Sequence, residues 1–314
     1  MVTTIKIKPL ALQPGCTIGI VAPSSPINSS KLEAGIVLIK ARGYQVEVGR
    51  HVLDRHPHNN YLAGRDEDRA ADLNEMFTRK NIQAIICGGG GYGATRILPL
   101  LDWEVIQANP KLFVGFSDIT SLHIALQQRG FVTIHGKMAA SLPDLDSASA
   151  ELFWSILENR NPYGLLPSNT ETIRTIVPGV VEAELAGGCL SLLAHACGTP
   201  YAPNFTDKLV LIEDIGEAIY RADRDLTQLL QSAHLDRAAG FIIGEISGWE
   251  KQESEGTVNS LSELWRSFFQ AIGKPAISGY PFGHIANPLT IPLGIQARLD
   301  ATLRTVTLLE TCVS

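Results

Sequence analysis

The stretch KLFVGFSDITSLHIALQQRG, residues 111–130, passes from an apolar strand through one serine into an amphipathic helix. The run 111–116 is short and apolar, as is typical of a strand buried in a parallel sheet. The residues after Ser117 carry apolar side chains at helical spacing as far as a glycine, which favours a helix end there. A strand that leads directly into a helix is the repeating unit of an α/β fold, and this stretch predicts one.

The same order of strand and helix repeats on both sides of this stretch. Strands are predicted at 17–22, in YQVEVGR, at 84–87 and in FVTIHG, and helices at 29–41, in RDEDRAADLNEMFTRK and in ATRILPLL. Ser29 or Ser30 is the expected N-cap of the first helix. Alternation at a spacing of about 25–35 residues predicts a parallel sheet with helices on both faces.

The pattern changes near residue 160. The stretch NPYGLLPSNTETIRTIVPG is rich in Pro, Asn and Thr and is interpreted as a linker. Strands and helices are mixed beyond it, and IPLGIQARLDATLRTVTLLE is expected to form a hairpin. We therefore predict an N-terminal α/β domain over residues 1–160 and a C-terminal mixed domain over residues 161–314.

Composition excludes several classes of protein. A net charge of −6 provides no strong positive field for nucleic acid or an anionic membrane. No apolar run approaches the roughly 18–20 residues that span a bilayer, and MVTTIKIKPLALQPG lacks the pattern of a secretory signal. The five cysteines form no CxxC pair, which argues against a disulfide framework and against a zinc site. The expectation is a cytoplasmic protein without a metal.

The glycine loop CGGGGYG has three interpretations. Gly88, Gly90 and Gly93 satisfy G-x-G-x-x-G between a predicted strand and helix, which is the pattern of a dinucleotide site. The motif does not follow the first strand, however, and no strand with an acidic end lies about 20 residues further on. The second interpretation is a tight turn with a structural role. The third is a loop that clears space for a substrate and directs backbone N–H groups towards it.

Ser117 also has two interpretations. A serine between a strand and a helix lies at the carboxyl edge of the sheet, where its Oγ faces a cleft and the next N–H, that of Asp118, faces a developing oxyanion. The sequence GFSDI has Ile119 where the G-x-S-x-G pattern of hydrolases requires glycine. A plain N-cap by Ser117 or Asp118 explains the same letters. The local pattern leaves both interpretations open.

Seven blocks in this order resemble the LD-carboxypeptidase family of serine peptidases, which includes murein LD-carboxypeptidases and microcin C immunity peptidases. The resemblance runs over roughly residues 12 to 305, and the blocks read YLAGRDEDRAADLN, GGYGATRILPLLD, GFSDITSLH, IHGKM, AGGCLSLLAHACGTPY, LIEDIGEAIYRADRDLTQLL and FGHIANPLTIPLG. The resemblance implies an N-terminal domain like class I amidotransferases and a C-terminal domain of the swivelling β/β/α type.

The resemblance also implies a Ser–Glu–His triad. The nucleophile falls on Ser117 of GFSD, the acid on Glu213 of LIED and the base on His284 of FGH. The expected oxyanion donors are the N–H of Asp118 and that of Gly90 or Gly91. Two other carboxylates near Glu213, those of Asp214 and Glu217, are alternatives for the residue that orients the histidine.

Three residues are candidates for binding the substrate: Tyr92 of the glycine loop, His135 at a strand end and Arg221 on a helix. His135 has the alternative of a strand-end histidine bonded to backbone, and Arg221 that of a structural ion pair. One residue departs from the family pattern, which usually has Arg where this chain has Gly89.

The expected function is serine-type hydrolysis of the L,D bond in murein tetrapeptides, with release of terminal D-alanine for peptidoglycan recycling. The resemblance implies a homodimer and no cofactor. An alternative within the family is hydrolysis of peptidyl or aminoacyl nucleotides of the microcin C type. An alternative from another class is a nucleotide-binding oxidoreductase or binding protein that uses the glycine loop.

Overall fold

The computed structural model describes residues 6–249 and 260–314; residues 1–5, part of the stretch tested for a secretory signal, lie outside it. The helices are α1 (Ser29–Ala41), α2 (Asp66–Thr78), α3 (Ala94–Ile97), α4 (Trp103–Ala108), α5 (Thr120–Gln127), α6 (Ser147–Glu158), α7 (Leu190–Ala196), α8 (Ile219–Ser232) and α9 (Leu261–Ile272). The strands are β1 (Thr17–Val21), β2 (Gln45–Val48), β3 (Ile82–Cys87), β4 (Leu112–Gly115), β5 (Thr133–His135), β6 (Gly164–Leu165), β7 (Arg174–Val177), β8 (Val180–Cys189), β9 (Lys208–Ile215), β10 (Gly240–Ser247), β11 (Ala276–Ser278), β12 (Ile291–Leu293), β13 (Gln296–Asp300) and β14 (Thr305–Leu308).

The described residues form two compact units. The first falls within Met1–Arg160, Thr290–Pro292 and Cys312–Ser314, and the second within Asn161–Leu289 and Leu293–Thr311. The chain therefore returns twice to the first unit after it has entered the second.

The first unit contains a six-stranded sheet in the order β12-β5-β4-β3-β1-β2. The pairs β1/β2, β1/β3, β3/β4 and β4/β5 are parallel, which confirms the predicted α/β architecture. Strands β3 and β4 lie at its centre, and β4 is buried along its whole length. Because parallel strands end at one edge, the loops that follow β1, β3, β4 and β5 all lie at the carboxyl edge.

Strand β12 corrects the prediction for the tail of the chain, residues 291–310. The stretch from Ile291 was expected to form one hairpin, but only β13 and β14 pair as that hairpin. Residues Ile291–Leu293 instead lie beside β5 at the edge of the first sheet. Three residues are too few for a periodic pattern, so the sequence carried no signal for this return.

The second unit contains an eight-stranded mixed sheet in the order β6-β14-β13-β8-β9-β10-β11-β7. Its four central strands, β8 to β11, are parallel, and the strands on either side of them are antiparallel. The stretch interpreted as a linker contributes β6 and β7, one at each edge of the sheet. The mixed character of this half is therefore as predicted, but the linker is part of the sheet.

Two predicted helices differ in detail. The cap of α1 is Asn28, whose side chain accepts from the N–H of Lys31 at 3.1 Å, so Ser29 and Ser30 are the first helical residues. ATRILPLL does not form one helix: α3 ends at Ile97, and a 3-10 turn over Leu98–Leu100 follows. Pro99 in this turn cannot donate to the preceding turn, which breaks the α-helical ladder.

Within the described residues, no helix combines the length and the apolar character needed to cross a membrane.

Candidate active site

The turn after β4 holds Ser117 in an unusual backbone conformation. Strand β4 ends at Gly115, and Ser117 follows with φ of +63°, in the left-handed region that non-glycine residues rarely enter. A Cβ on Gly115 would lie 2.7 Å from a side-chain carbon of Ile119, so a tight turn requires glycine there. Such strain persists only where the surrounding structure enforces it, and it is concentrated at functional sites.

The capping interpretation of Ser117 and Asp118 is wrong. Helix α5 begins at Thr120 with Ile119 as its N-cap residue and without a capping hydrogen bond from a side chain. The turn over Ser117–Ile119 has Phe116 as its N-cap, again without a side-chain bond. The serine is therefore placed by the strand-to-helix turn and does not serve to begin the helix.

The glycine loop approaches Ser117 closely. A Cβ on Gly90 would lie 3.1 Å from Cβ of Ser117, so a larger residue would crowd the serine. Gly91 and Gly93 have φ of +106° and +135°, which disfavours other residues there. Gly89 differs: its φ is ordinary, and a Cβ would only contact Ile27 at 3.5 Å. Positions 90, 91 and 93 thus require glycine, whereas position 89 tolerates a side chain.

The carboxylate of Asp118 lies beneath this loop. Oδ2 accepts from Oγ of Ser24 at 2.5 Å and from the N–H of Ala94 at 2.7 Å. The side chain is almost completely buried, and burial raises the pKa of this carboxyl. Ala94 is the first residue of α3, so a carboxylate already occupies the helix start that would receive a phosphate in a dinucleotide site.

The candidate residues for substrate binding in the first unit lie at the same edge. His135 ends β5, is buried, and places its ring 5.8 Å from that of Phe116. Tyr92 is exposed, and its ring lies 5.9 Å from that of Tyr61. Ser25 connects these two tyrosines, since its Oγ donates to the carbonyl of Tyr61 and accepts from the N–H of Tyr92. The contact between Tyr61 and Tyr92 was not predicted, because Tyr61 lies in a loop without a periodic pattern.

The second unit brings Glu213 and His284 together. Oε2 of Glu213 lies 2.7 Å from Nδ1 of His284, the carboxylate is fully buried, and the histidine side chain is 13% exposed. Gly283 makes this approach feasible: a Cβ there would lie 2.7 Å from Cβ of Glu213, and φ is +96°. The carbonyl of His284 accepts from Oγ of Ser247 at 2.6 Å. His284 is therefore held both at its ring, by Glu213, and at its backbone carbonyl, by Ser247.

The two alternative carboxylates are engaged elsewhere. Asp214 accepts from the N–H of Ser191 at 2.7 Å and from Sγ of Cys189 at 3.3 Å. Burial raises the pKa of this carboxyl. Glu217 forms an ion pair with Arg221 at 3.7 Å. Glu213 is thus the member of the three whose bond to His284 the structure records, and the salt-bridge partner of Arg221 lies just before α8.

One group of side chains has donors spaced as in a metal site. His51, Asp54 and Asp68 place one ligand atom each within 4.8 Å of the others, the only such group among residues 6–249 and 260–314. Two of them form an ion pair, with Nδ1 of His51 2.8 Å from Oδ2 of Asp54. This hydrogen bond raises the pKa of His51. A partly exposed ion pair accounts for the arrangement.

Comparison with known proteins places the chain in a family. Residues 18–136 match the LD-carboxypeptidase N-terminal domain and residues 182–299 the LD-carboxypeptidase C-terminal domain. A putative carboxypeptidase of Streptomyces coelicolor is 40% identical over 309 residues, which cover 96% of both chains. A probable murein peptide carboxypeptidase of Bacillus subtilis is 35% identical over 311 residues, 97% of this chain and 95% of the relative.

Two solved structures are similar over nearly the whole length of this chain. A muramoyltetrapeptide carboxypeptidase from Oxalobacter formigenes superposes with a TM-score of 0.78 at 28% identity, over 93% of this chain and 97% of the other. An MccF-like protein from Bacillus anthracis superposes with a TM-score of 0.85 at 25% identity, over 97% and 99%. With both domains matched and relatives similar over nearly their full length, this chain belongs to the LD-carboxypeptidase family and is a hydrolase of the carboxypeptidase type.

Proposed function

We propose that the chain is a serine-type LD-carboxypeptidase that hydrolyses the L,D bond of murein tetrapeptides and releases terminal D-alanine. The observation that most directly supports a triad is the buried contact of 2.7 Å between Glu213 and His284. A carboxylate accepts but does not donate, so Nδ1 carries the proton and Nε2 is left to act as the base. Ser117, strained at the end of β4, is the proposed nucleophile.

The proposed reaction proceeds in two steps. Oγ of Ser117 attacks the carbonyl of the L-residue while Nε2 of His284 takes its proton, and the same proton then passes to the departing amine of D-alanine. Water hydrolyses the acyl-enzyme by the reverse proton path. Glu213 fixes the tautomer of the imidazole and stabilises its protonated form. The chemistry requires His284 to come within hydrogen-bond reach of Ser117 in the working enzyme.

The proposed oxyanion donors are backbone groups. The N–H of Asp118 follows the nucleophile directly, and the N–H of Gly90 or that of Gly91 supplies the second donor from the neighbouring loop. Donors of this kind act because they are oriented before charge develops, and loss of one costs about 10²–10³ in kcat. A side chain at position 90 would crowd Ser117, which is consistent with a loop that approaches the reacting carbonyl.

The decisive experiment is a mass-spectrometric assay of the purified protein with muropeptides that end in an L,D or a D,D bond. D-Alanine should be released only from the L,D substrate. Ser117→Ala should lower the rate by about 10⁴–10⁶, as in other triads, and Glu213→Gln by about 10⁴. A serine-directed phosphonate should label Ser117 alone. Absence of release from both peptides by the wild-type protein would refute the proposal.

The cellular role belongs to the same proposal. Release of D-alanine from tetrapeptides would serve peptidoglycan recycling in the cytoplasm, and the protein would act as a homodimer. All five cysteines are free thiols, which suits a reducing compartment. Sedimentation at several protein concentrations tests the dimer, and fractionation of cells that express a tagged chain tests the location.

A second candidate is hydrolysis of peptidyl or aminoacyl nucleotides of the microcin C type. Its support is the similarity to the MccF-like protein, which is greater in TM-score than that to the muramoyltetrapeptide carboxypeptidase. The same triad would serve both substrates, so only a direct comparison separates them. A kcat/KM at least tenfold higher for an aminoacyl sulfamoyl nucleotide than for the L,D muropeptide would favour this candidate.

A dinucleotide-dependent oxidoreductase is disfavoured by the position of Asp118. A pyrophosphate at the start of α3 would meet the buried carboxylate that accepts from Ala94, and like charges repel. Titration calorimetry with NAD should accordingly give no heat of binding. Binding of NAD together with full activity in Ser117→Ala would support the oxidoreductase.

A further inference from the structure

Two buried ionic side chains, of Asp118 and Arg69, connect the loop after β1 to the glycine loop. The carboxylate of Asp118 accepts from Oγ of Ser24 and from the N–H of Ala94. The guanidinium of Arg69 donates to the carbonyl of Pro23 and to that of Gly93, the latter at 2.9 Å. We call Asp118 and Arg69 the loop clamp.

The loop clamp binds two consecutive residues in each of the two loops. The carbonyl of the first residue, Pro23 or Gly93, accepts from Arg69. The second residue, Ser24 or Ala94, donates to the carboxylate of Asp118. All four contacts are buried, and buried hydrogen bonds to charged groups are among the stronger ones. The relative position of the two loops therefore depends on both members of the clamp.

The loop after β1 in turn holds the segment proposed to bind the oxyanion. The N–H of Ser25 donates to the carbonyl of Gly90 at 3.1 Å, and the Oγ of Ser25 accepts from the N–H of Tyr92 at 3.0 Å. Gly91 lies between these two anchors. The peptide planes from Gly90 to Tyr92 are thus oriented by Ser25, whose neighbour Ser24 is bonded to Asp118.

We propose that the carboxylate of Asp118 is a positioning residue that fixes the N–H groups of Gly90 and Gly91 against Ser117. The inference rests on the proposed serine hydrolysis. It assigns two separate tasks to one residue, because the N–H of Asp118 is itself a proposed donor while its side chain holds the loop that carries the second donor. The carboxylate does not touch the substrate and acts only through the two loops.

The two tasks can be separated by mutation, because substitution of the side chain leaves the backbone N–H in place. In Asp118→Ala, both bonds to Oδ2 are lost, and the glycine loop is free to shift by a few tenths of an ångström. Oxyanion donors act mainly in the transition state, so kcat should fall by about 10²–10³ while KM changes less than threefold. In Asp118→Asn, the amide oxygen can accept both bonds, and most of the activity should be retained.

Affinity for a transition-state analogue distinguishes a positioning role from a merely structural one, because loss of structural stability alone would not change it. A peptidyl boronate forms a tetrahedral adduct with the serine, and its affinity for Asp118→Ala should fall by about the same factor as kcat. Affinity for the uncleaved L,D muropeptide, measured in the Ser117→Ala background, should change less than threefold on addition of Asp118→Ala. Ser24→Ala should lower kcat about tenfold, and in combination with Asp118→Ala should add nothing, because its bond is one of the two that Asp118→Ala already removes.

The matched control is Asp72→Ala. Asp72 is also a buried carboxylate of the first unit, and its Oδ2 accepts from the N–H of His51 at 2.8 Å, in a different loop. Its loss should lower the melting temperature to a similar extent as Asp118→Ala and change kcat by less than threefold. A loss of kcat in Asp72→Ala as large as that in Asp118→Ala would show a general effect of destabilisation and overturn the inference.

The release assay tests the proposed hydrolysis and the positioning role of Asp118 separately. Release of D-alanine by wild-type protein and its loss in Ser117→Ala support the function, and Asp118→Ala with kcat within threefold of wild type then overturns the positioning role alone. A wild-type protein without hydrolytic activity overturns both. Should Asp118→Ala fail to fold, Ser24→Ala decides: unchanged kcat and unchanged boronate affinity there count against the inference.

Discussion

Gly283 decides whether Glu213 and His284 can meet. A side chain there would overlap the glutamate, because a Cβ would lie 2.7 Å from Cβ of Glu213. In Gly283→Ala, the two residues must separate, and kcat should fall at least 10²-fold, as when a triad histidine loses its orienting partner. Steady-state kinetics with the L,D muropeptide measures this loss.

Gly43→Ala is the control for backbone strain. Gly43 has φ of +99°, close to the +96° of Gly283, but a Cβ there meets nothing within 4 Å. Both variants should lose about 1–2 kcal/mol of stability from the positive φ, and only Gly283→Ala should lose activity as well. Equal kcat in the two variants would contradict the role assigned to Gly283.

At the scale of the element, α5 is fastened to β4 by a buried histidine. Nε2 of His123 lies 2.9 Å from the carbonyl of Gly115, two residues before Ser117. Desolvation lowers the pKa of His123 to about 3, against about 6.5 in the unfolded chain. The carbonyl accepts, so Nε2 carries the proton of a neutral imidazole.

This histidine should make the protein sensitive to acid. Between pH 6.5 and 3 the unfolded chain binds a proton that the folded chain does not, so stability falls as pH falls, by about 1.4 kcal/mol per unit. His123→Gln retains a donor without this titration. The stability of wild type relative to His123→Gln should therefore drop by about 2 kcal/mol between pH 6.5 and 5.0, measured by urea unfolding.

Thr133→Ala serves as a control, because Thr133 is equally buried and does not titrate. The difference in free energy of unfolding between Thr133→Ala and wild type should stay constant over the same pH range, because both proteins contain His123. Parallel pH profiles for wild type and His123→Gln would contradict the assignment of a neutral buried imidazole.

The elements were largely predictable, because strand and helix periods are written in local sequence. The 3-10 turn after α3 and the cap at Asn28 were not, since Pro99 and the polar run 28–30 each allow more than one local solution. The role of the Asp118 side chain had no local signal either. Its partners Ser24 and Ala94 lie 94 and 24 positions away in the chain, and only the folded sheet edge brings them together.

A similarity between Asp118 in the first unit and Asp214 in the second was equally unpredictable from the sequence. In each unit, the residue after a proposed catalytic residue is a buried aspartate that accepts a backbone N–H from a neighbouring strand-to-helix turn: Asp118 from Ala94, and Asp214 from Ser191. The letters SD and ED gave no indication that both second residues face inwards. The strand registers bring this about, since the ends of the adjacent parallel strands β3 and β4, and of β8 and β9, lie side by side.

At the scale of the whole molecule, residues 312–314 belong to the first unit. Cys312 and Val313 are buried, and the backbone of Ser314 bonds to that of Pro9 and Ala11. Removal of residues 312–314 should cost about 2–4 kcal/mol, as does the loss of large buried side chains. The destabilisation should be confined to the first unit.

Hydrogen exchange followed by mass spectrometry measures where the loss falls. Exchange should rise around Leu12 and Leu157, whose backbones are bonded to each other, and should not rise in β8 to β10. Ser314→Ala is the control, because it removes only the hydroxyl, which donates to the carbonyl of Pro9 at 3.3 Å, while the backbone bonds remain. An equal rise in both units would contradict the division of the chain described above.

The return of residues 290–292 to the edge of the first sheet has a consequence for the protein during its synthesis. A ribosome that has translated the first 160 residues has released the nucleophile turn and the glycine loop, but the sixth strand of their sheet is still about 130 codons away. Until it emerges, β5 is an unpaired edge, open to association with other nascent chains. We therefore expect the order of translation to delay completion of the nucleophile's sheet until nearly the whole second unit has left the ribosome.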